Sequence, residues 1–355
     1  MLVVQSTIAQ QYNFVNYTIN NGLPNSNVLS VLQDSRGFLW IGTETGLASF
    51  NGESWQTHYK SLKIKPVPIY DIFEDHDNSI WFAAGKNGVY RYNGKNTLKL
   101  YNDSINIISI CQDASGNILF ASKNKGLYKL KNKYAQSEEN QMIKANILQN
   151  FRDITIFHTI NDKDGNIWLG TNKGLLKYDG ISIEEFNLSN GLPHNKVTKV
   201  FEDNLGRIWF CTPRGVVKYD FDKFQVFTQQ NGLTSNQINT VSQDATGVIW
   251  LGGESGIDLF DGEKFQHLSV QNGLIDEHIN VLKLDNSGNV WIGSEFGGIS
   301  MFPGYAFARY STEDGLISNQ IFAIEIDTQN NIYIGGLNGA NIIAENKIKP
   351  LNLKK

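Results

Sequence analysis

Only two cysteines, Cys111 and Cys211, occur in 355 residues. Neither a disulfide framework nor a four-thiolate zinc site can be built from them, and one bridge is the most they could form. No apolar stretch reaches the roughly 18 residues of a membrane-crossing helix, so no membrane span is expected. An excess of one charge is also lacking: 31 Lys and Arg stand against 35 Asp and Glu, a net charge of −4. The basic footprint of a nucleic-acid binder is therefore missing, and nucleic acid is not expected as a partner. The six histidines (58, 76, 158, 194, 267 and 278) show no ligand spacing. No nucleophile elbow, Walker loop, dinucleotide fingerprint or H-E-x-x-H occurs, so no catalytic residue, metal or cofactor is assigned. Proline is scarce, at 7, whereas glycine reaches 33 and aromatics 12%. That balance favours many short strands joined by Gly turns.

A phrase of the form D-x-x-G-x-[ILV]-W begins at Asp34, Asp75, Asp113, Asp162, Asp203, Asp244, Asp285 and Asp327. Its last position reads Trp40, Trp81, Leu119, Trp168, Trp209, Trp250, Trp291 and Tyr333, at spacings of 38 to 49 residues. A period near 41 residues holds four short strands. The glycine is replaced only by Asn78 and Asn330, and Asn is the ordinary residue that tolerates a left-handed backbone, so a tight a–b turn is expected in every copy. Six residues before each phrase stands a β-branched residue: Val28, Ile69, Ile107, Ile156, Val197, Ile238, Ile279 or Ile321. This marks a buried innermost strand a. Strand b carries the aromatic anchor and a small residue where the next sheet must approach. A second glycine marks the b–c turn, and Asn-Gly or Asp-Gly pairs such as Asn51-Gly52 lead into strand d.

Repeated four-stranded antiparallel sheets of this length describe the blades of an all-β, single β-propeller, with eight blades predicted and seven plus the start of a second propeller as the alternative. The segment Phe14–Tyr17 is in phase with the d strands and precedes the first a strand, so it is expected to complete the last blade, at 321–344. The competing strand near Ile348 carries Pro350, which removes a ladder donor. A polar insertion over 131–150 lengthens the third repeat, with a strand expected near Met142–Leu148. Residues 1–9, with Thr7 and Ala9 before Gln10, read as the remnant of a signal peptide, and 10–355 as the propeller.

The phrases Asn-Gly-Leu-Pro-Asn-Ser-Asn-Val (21–28), Gln-Asp-Ser-Arg-Gly-Phe-Leu-Trp-Ile-Gly-Thr (33–43) and Thr-Asn-Lys-Gly-Leu-Leu-Lys-Tyr (171–178) closely resemble the two-component regulator propeller repeat. The resemblance runs from about Phe14 to Ala344. It implies the extracytoplasmic sensor portion of a hybrid two-component system of the Bacteroidota type, several of which are tied to carbohydrate sensing. Such a sensor is periplasmic or on the cell surface, and a partner signalling protein or a separate kinase portion carries its output. This chain has no kinase box and no diguanylate cyclase motif, and propellers of the family are often seven-bladed and paired.

A non-catalytic ligand-binding role is therefore expected, with a glycan or protein bound at the loop face. A propeller lyase or lactonase of the streptogramin-lyase type and a scaffolding module in an envelope complex are the alternatives. Glu202-Asp203…Trp209-Phe210 is the closest local match to the lyase, whose histidine pair cannot be placed. Asp162–Asn166 and Glu74–Asn78 look like pieces of calcium loops but coincide with a–b turns.

In a propeller the d–a and b–c loops emerge on one face. The mouth positions before strand a include Asn27, Lys196, Gln237, His278 and Gln320. The b–c loops of blades two to five supply Lys86, Lys123, Lys125, Lys173 and Arg214, joined by Arg152 from a d–a loop. Blades six, seven and one supply Glu254, Asp276, Glu277, Glu295 and Glu44. One half of the face is thus expected to be basic and the other acidic, the basic arc orienting an anionic ligand.

Overall fold

The computed structural model describes residues 12–58, 66–100, 105–130, 142–148, 151, 153–220, 223–303, 311–312, 315–327, 331–344 and 347–351. Eight four-stranded antiparallel sheets are present, one per repeat. They divide into two compact units, Met1–Gly304 with seven sheets and Tyr305–Lys355 with one.

The Asp of each repeat phrase explains why the phrase recurs. In Asp203, Oδ1 accepts the backbone N–H of Leu205 (2.9 Å) and Arg207 (3.0 Å), while Oδ2 accepts the indole Nε1–H of Trp209 at 2.8 Å. One carboxylate thus closes the hairpin and satisfies the donor of a buried ring. The same Asp–Trp bond recurs at 2.8–2.9 Å from Asp34, Asp75, Asp162, Asp244 and Asp285. In the calcium-like phrase, Asp162 is consumed in this way, receiving Asp164 N, Asn166 N, Asn166 Nδ2 and Trp168 Nε1. The turn also needs its left-handed residue: φ is 78° at Gly206 and 58° at Asn78, the Asn that stands in for glycine. The small residue of strand b is needed for close approach, because a Cβ on Gly170 would lie 2.8 Å from the carbonyl oxygen of Val197 in the next blade.

In the first unit the inner strands pack in a cycle. Val28–Gln33 lies against Asp71–Glu74, and the succession passes through Ile107–Gln112, Ile156–Asn161, Lys199–Glu202 and Ile238–Gln243 to Ile279–Leu284, which packs back on Val28–Gln33. Buried Trp, Ile, Val and Leu side chains fill the space between successive sheets.

The stitch differs from the expectation. The N-terminal strand Val15–Tyr17 completes the seventh sheet, pairing Val15 with Met301 and Tyr17 with Ile299, and not the sheet at 321–344. The Tyr17 ring favours this pairing: it lies 6.0 Å from Trp291, 5.4 Å from Phe50 and 5.3 Å from Trp55, packed among the aromatic rings of the seventh and first sheets. The seventh repeat's own expected d residues, Phe307 and Tyr310, lie outside the described residues.

In the second unit, Lys347–Pro350 completes the sheet of Ile321–Ile326, Ile332–Gly336 and Gly339–Ala344. Pro350 is the last paired residue of this outer strand, opposite Asn341, where a missing donor costs little. The inner strand of this sheet is exposed along its whole length, with Phe322 72% and Ile324 61% accessible.

The third sheet takes Met142–Lys144 as its fourth strand, as expected for the end of the insertion. Residues 131–141 of the insertion and the signal-like start at 1–9 lie outside the described residues. Cys111 and Cys211 are free and buried in different blades.

Candidate functional site

Hydrogen bonds between the two loop types place them on one face. Asn27 O accepts Glu44 N (3.0 Å), Asn106 O accepts Lys123 N (2.9 Å), Thr155 O accepts Asn172 N (3.0 Å) and His278 O accepts Glu295 N (2.9 Å). Each bond ties the residue before a strand a to the first residue of the same blade's b–c loop. Across the junction of blades seven and one, Asn280 Nδ2 donates to Asn27 Oδ1 at 3.0 Å.

Lys86, Lys123, Lys125, Lys173 and Arg214 all occupy these b–c turns and are exposed. Among the described residues none has a carboxylate within 4 Å; Arg214 Nη1 donates to Pro193 O at 3.4 Å. The Lys196 ammonium lies over the Phe157 ring at 5.4 Å, at the channel mouth that Lys123 also lines. Arg152 lies outside the described residues. On the acidic side, Glu44 and Glu254 are exposed and Glu295 is half-buried. Glu44 is held by Asn27 Nδ2 at 3.3 Å. Burial would raise the Asp276 carboxyl, but the N–H of Phe296 and of His278 hold it below the usual range. His278 packs on Phe296, and Gln237 and Gln320 are exposed; Gln320 belongs to the second unit.

A second site, which strand patterning missed, lies inside the ring. The inner strands of the first unit enclose a channel of 910 Å³. Two residues beyond the β-branched position they carry Ser30, Asp71, Ser109, His158, Lys199, Thr240 and Val281 in blade order. At this level the blades are sewn together. Asp71 Oδ2 accepts Ile110 N at 2.8 Å, Ser109 Oγ accepts Thr159 N at 3.2 Å, and Thr240 Oγ1 accepts Leu282 N at 3.1 Å. Blade four departs from this pattern: its residue is His158, and Nε2 meets the Lys199 ammonium at 2.8 Å. Burial pushes the Asp71 carboxyl up and both the Lys199 and Lys283 ammonium groups down. Burial pushes Cys111 and Cys211 up to about 12, so both thiols are protonated at neutral pH. Among the described residues no group of three or more His, Cys, Asp or Glu could hold a metal ion. The signal for this site was present in the sequence: a charged residue within a run otherwise expected to be buried on both sides is costly unless it is used.

Three copies of the repeat, at residues 22–45, 150–173 and 191–214, match the two component regulator propeller family. No curated protein sequence matches the chain. Among solved structures, the fold is similar to the extracellular domains of two B. thetaiotaomicron proteins described as hybrid two-component systems. One has 21% identity and a TM-score of 0.67, covering 96% of this chain and 49% of that one; the other has 22% and 0.67, covering 98% and 48%. The chain thus spans about half the length of these relatives. Virginiamycin B lyase from Staphylococcus aureus shares the propeller fold at 13% identity and a TM-score of 0.64, covering 82% of this chain and 99% of the lyase. No helix among the described residues is long and apolar enough to cross a membrane. The chain is a β-propeller protein, three of whose repeats match the two component regulator propeller family.

Proposed function

We propose that this propeller is the recognition part of an extracytoplasmic sensor of the two-component type, in the periplasm or on the cell surface, and that it binds an acidic glycan or an acidic protein segment at its loop face. The observation that carries this reading is that Lys86, Lys123, Lys125, Lys173 and Arg214 are exposed in successive b–c loops and that none has a carboxylate within 4 Å among the described residues. Unpaired charges of one sign at a channel mouth add their fields and steer an anion toward it. The acidic arc of Glu44, Glu254 and Glu295 disfavours the reversed pose. The repeat match and the likeness to extracellular sensor domains support the same reading. The binding event then passes to a partner signalling protein or a kinase portion.

A thermal-shift screen with neutral and acidic oligosaccharides, with and without EDTA, tests the proposal. Stabilisation by acidic ligands that EDTA leaves untouched is expected. Stabilisation lost on chelation would favour a metal-dependent lyase or lactonase, and no stabilisation by any oligosaccharide would favour a scaffolding role.

A further inference from the structure

The channel of the first unit holds charges that the loop-face reading does not use. Lys199 opens the inner strand of blade five, and its ammonium meets His158 Nε2 at 2.8 Å. A charged ammonium can only donate, so the imidazole accepts at Nε2 and carries its proton on Nδ1. That Nδ1 is buried with no partner, a donor that a purely structural site would have satisfied. Burial and the neighbouring Lys199 hold His158 well below the usual histidine range, so it stays a neutral acceptor that aims the ammonium.

Lys283, from the inner strand of blade seven, lines the same channel and has no hydrogen bond or ion pair among the described residues. Lys283 stands two residues further along its strand than the level of Asp71 and Lys199, and Asp71 makes no ion pair with either lysine among the described residues; Glu74 and Glu202 also line the channel. Asp71 already receives Ile72 N at 2.9 Å on Oδ1, and Ile110 N at 2.8 Å and Ser109 Oγ at 3.1 Å on Oδ2. Its nearest cations lie beyond 4 Å. The channel therefore offers the ammonium groups of Lys199 and Lys283 and the spare Nδ1–H of His158 as donors, while the oxygens of Asp71 are already taken. Buried ammonium groups that lack a direct ion pair are costly, and an anion placed between them lowers that cost.

We propose that the channel binds a small oxyanion, a carboxylate, phosphate or sulfate, between Lys199 and Lys283, with His158 as the residue that positions Lys199. The 910 Å³ volume admits a ligand of monosaccharide size. Lys123 and Phe157 line it toward the loop face.

The test is calorimetric titration of the full chain with sulfate, inorganic phosphate and acetate at fixed ionic strength, with chloride as the control. Saturable one-to-one binding of at least one oxyanion is expected, together with a saturable shift of the His158 ring nitrogens in NMR. Lys283→Met weakens that binding by at least about tenfold and leaves the melting temperature unchanged or raised, because it removes an unpaired enclosed charge. Lys125→Ala with Lys173→Ala and Arg214→Ala leaves it nearly unchanged, which separates this site from the loop face. The proposal is overturned if no oxyanion binds below about 10 mM, if Lys283→Met keeps full affinity, or if the His158 resonances do not move.

Discussion

Asp203 Oδ2 holds the indole Nε1–H of Trp209 at 2.8 Å while its Oδ1 closes the turn onto Leu205 and Arg207, so a single carboxylate serves the hairpin and the core together. Blade three lacks the indole, because Leu119 stands at the aromatic position, and among the described residues the Asp113 carboxylate serves only Asn117, through its N (2.7 Å) and Nδ2 (2.8 Å). Asp203→Ala is expected to cost about 3 kcal/mol, since it leaves a buried donor unmet, and Asp113→Ala about 1 kcal/mol. Urea unfolding of the two variants checks this. Equal losses would mean that the indole bond contributes nothing.

The closure of the first unit rests on Tyr17 and its strand. Tyr17→Ala should lose about 3 kcal/mol through the cavity left beside Trp291, Phe50 and Trp55. Deleting residues 1–20 should lose more, because Met301, Ser300 and Ile299 lose their pairing strand. A truncated chain that melts with the full one would show that the seventh sheet does not need this strand.

His58 is buried against Trp40 with its Nε2 2.8 Å from Ser49 Oγ, and burial lowers its pKa from 6.5 to about 4. A base whose folded pKa is depressed binds its proton more readily in the unfolded chain. Its contribution is therefore complete above about pH 6.5 and shrinks as pH falls toward 4. One such histidine gives a slope of up to about 1.4 kcal/mol per pH unit. His58→Gln should flatten the loss measured between pH 7 and pH 5 by most of that amount, leaving the share of His158, which is shifted in the same direction. An unchanged slope would contradict the assignment.

The inner strand of the second unit behaves differently from its seven counterparts. Phe322 and Ile324 are 72% and 61% exposed, so Phe322→Ser with Ile324→Ser should change stability by less than about 1 kcal/mol and improve solubility. A large loss in thermal unfolding would show that these side chains are covered in solution.

The repeat was legible in the sequence because its period rests on residues whose geometry forces the choice: the Asp–Trp pair, the left-handed Gly or Asn, and the β-branched start of each inner strand. The seven-plus-one division was legible only as an alternative. Every d strand has the same spacing, so periodicity cannot say which sheet Val15–Tyr17 joins; the stacking of Tyr17 on Trp291 favours the seventh. The b–c cations could be assigned to their loops because loops follow from strand order. The channel site escaped notice because Asp71, His158 and Lys199 differ in type from blade to blade, and each sits in a strand read as buried. What relates them is their common step from the β-branched position, a relation between blades that no single repeat displays.

The loop-face reading is tested most directly by replacing Lys123, Lys173 and Arg214 together with Ala and measuring the affinity of an acidic oligosaccharide at low and high salt. Exposed charges of this kind contribute only about 0–1 kcal/mol each and are screened over roughly 8 Å at physiological salt. Single substitutions should therefore do little, and the triple variant should fold normally, bind about tenfold more weakly at low salt and lose most of its salt dependence. Unchanged affinity of the triple variant for every acidic ligand, at both salt concentrations, would contradict recognition through the basic arc.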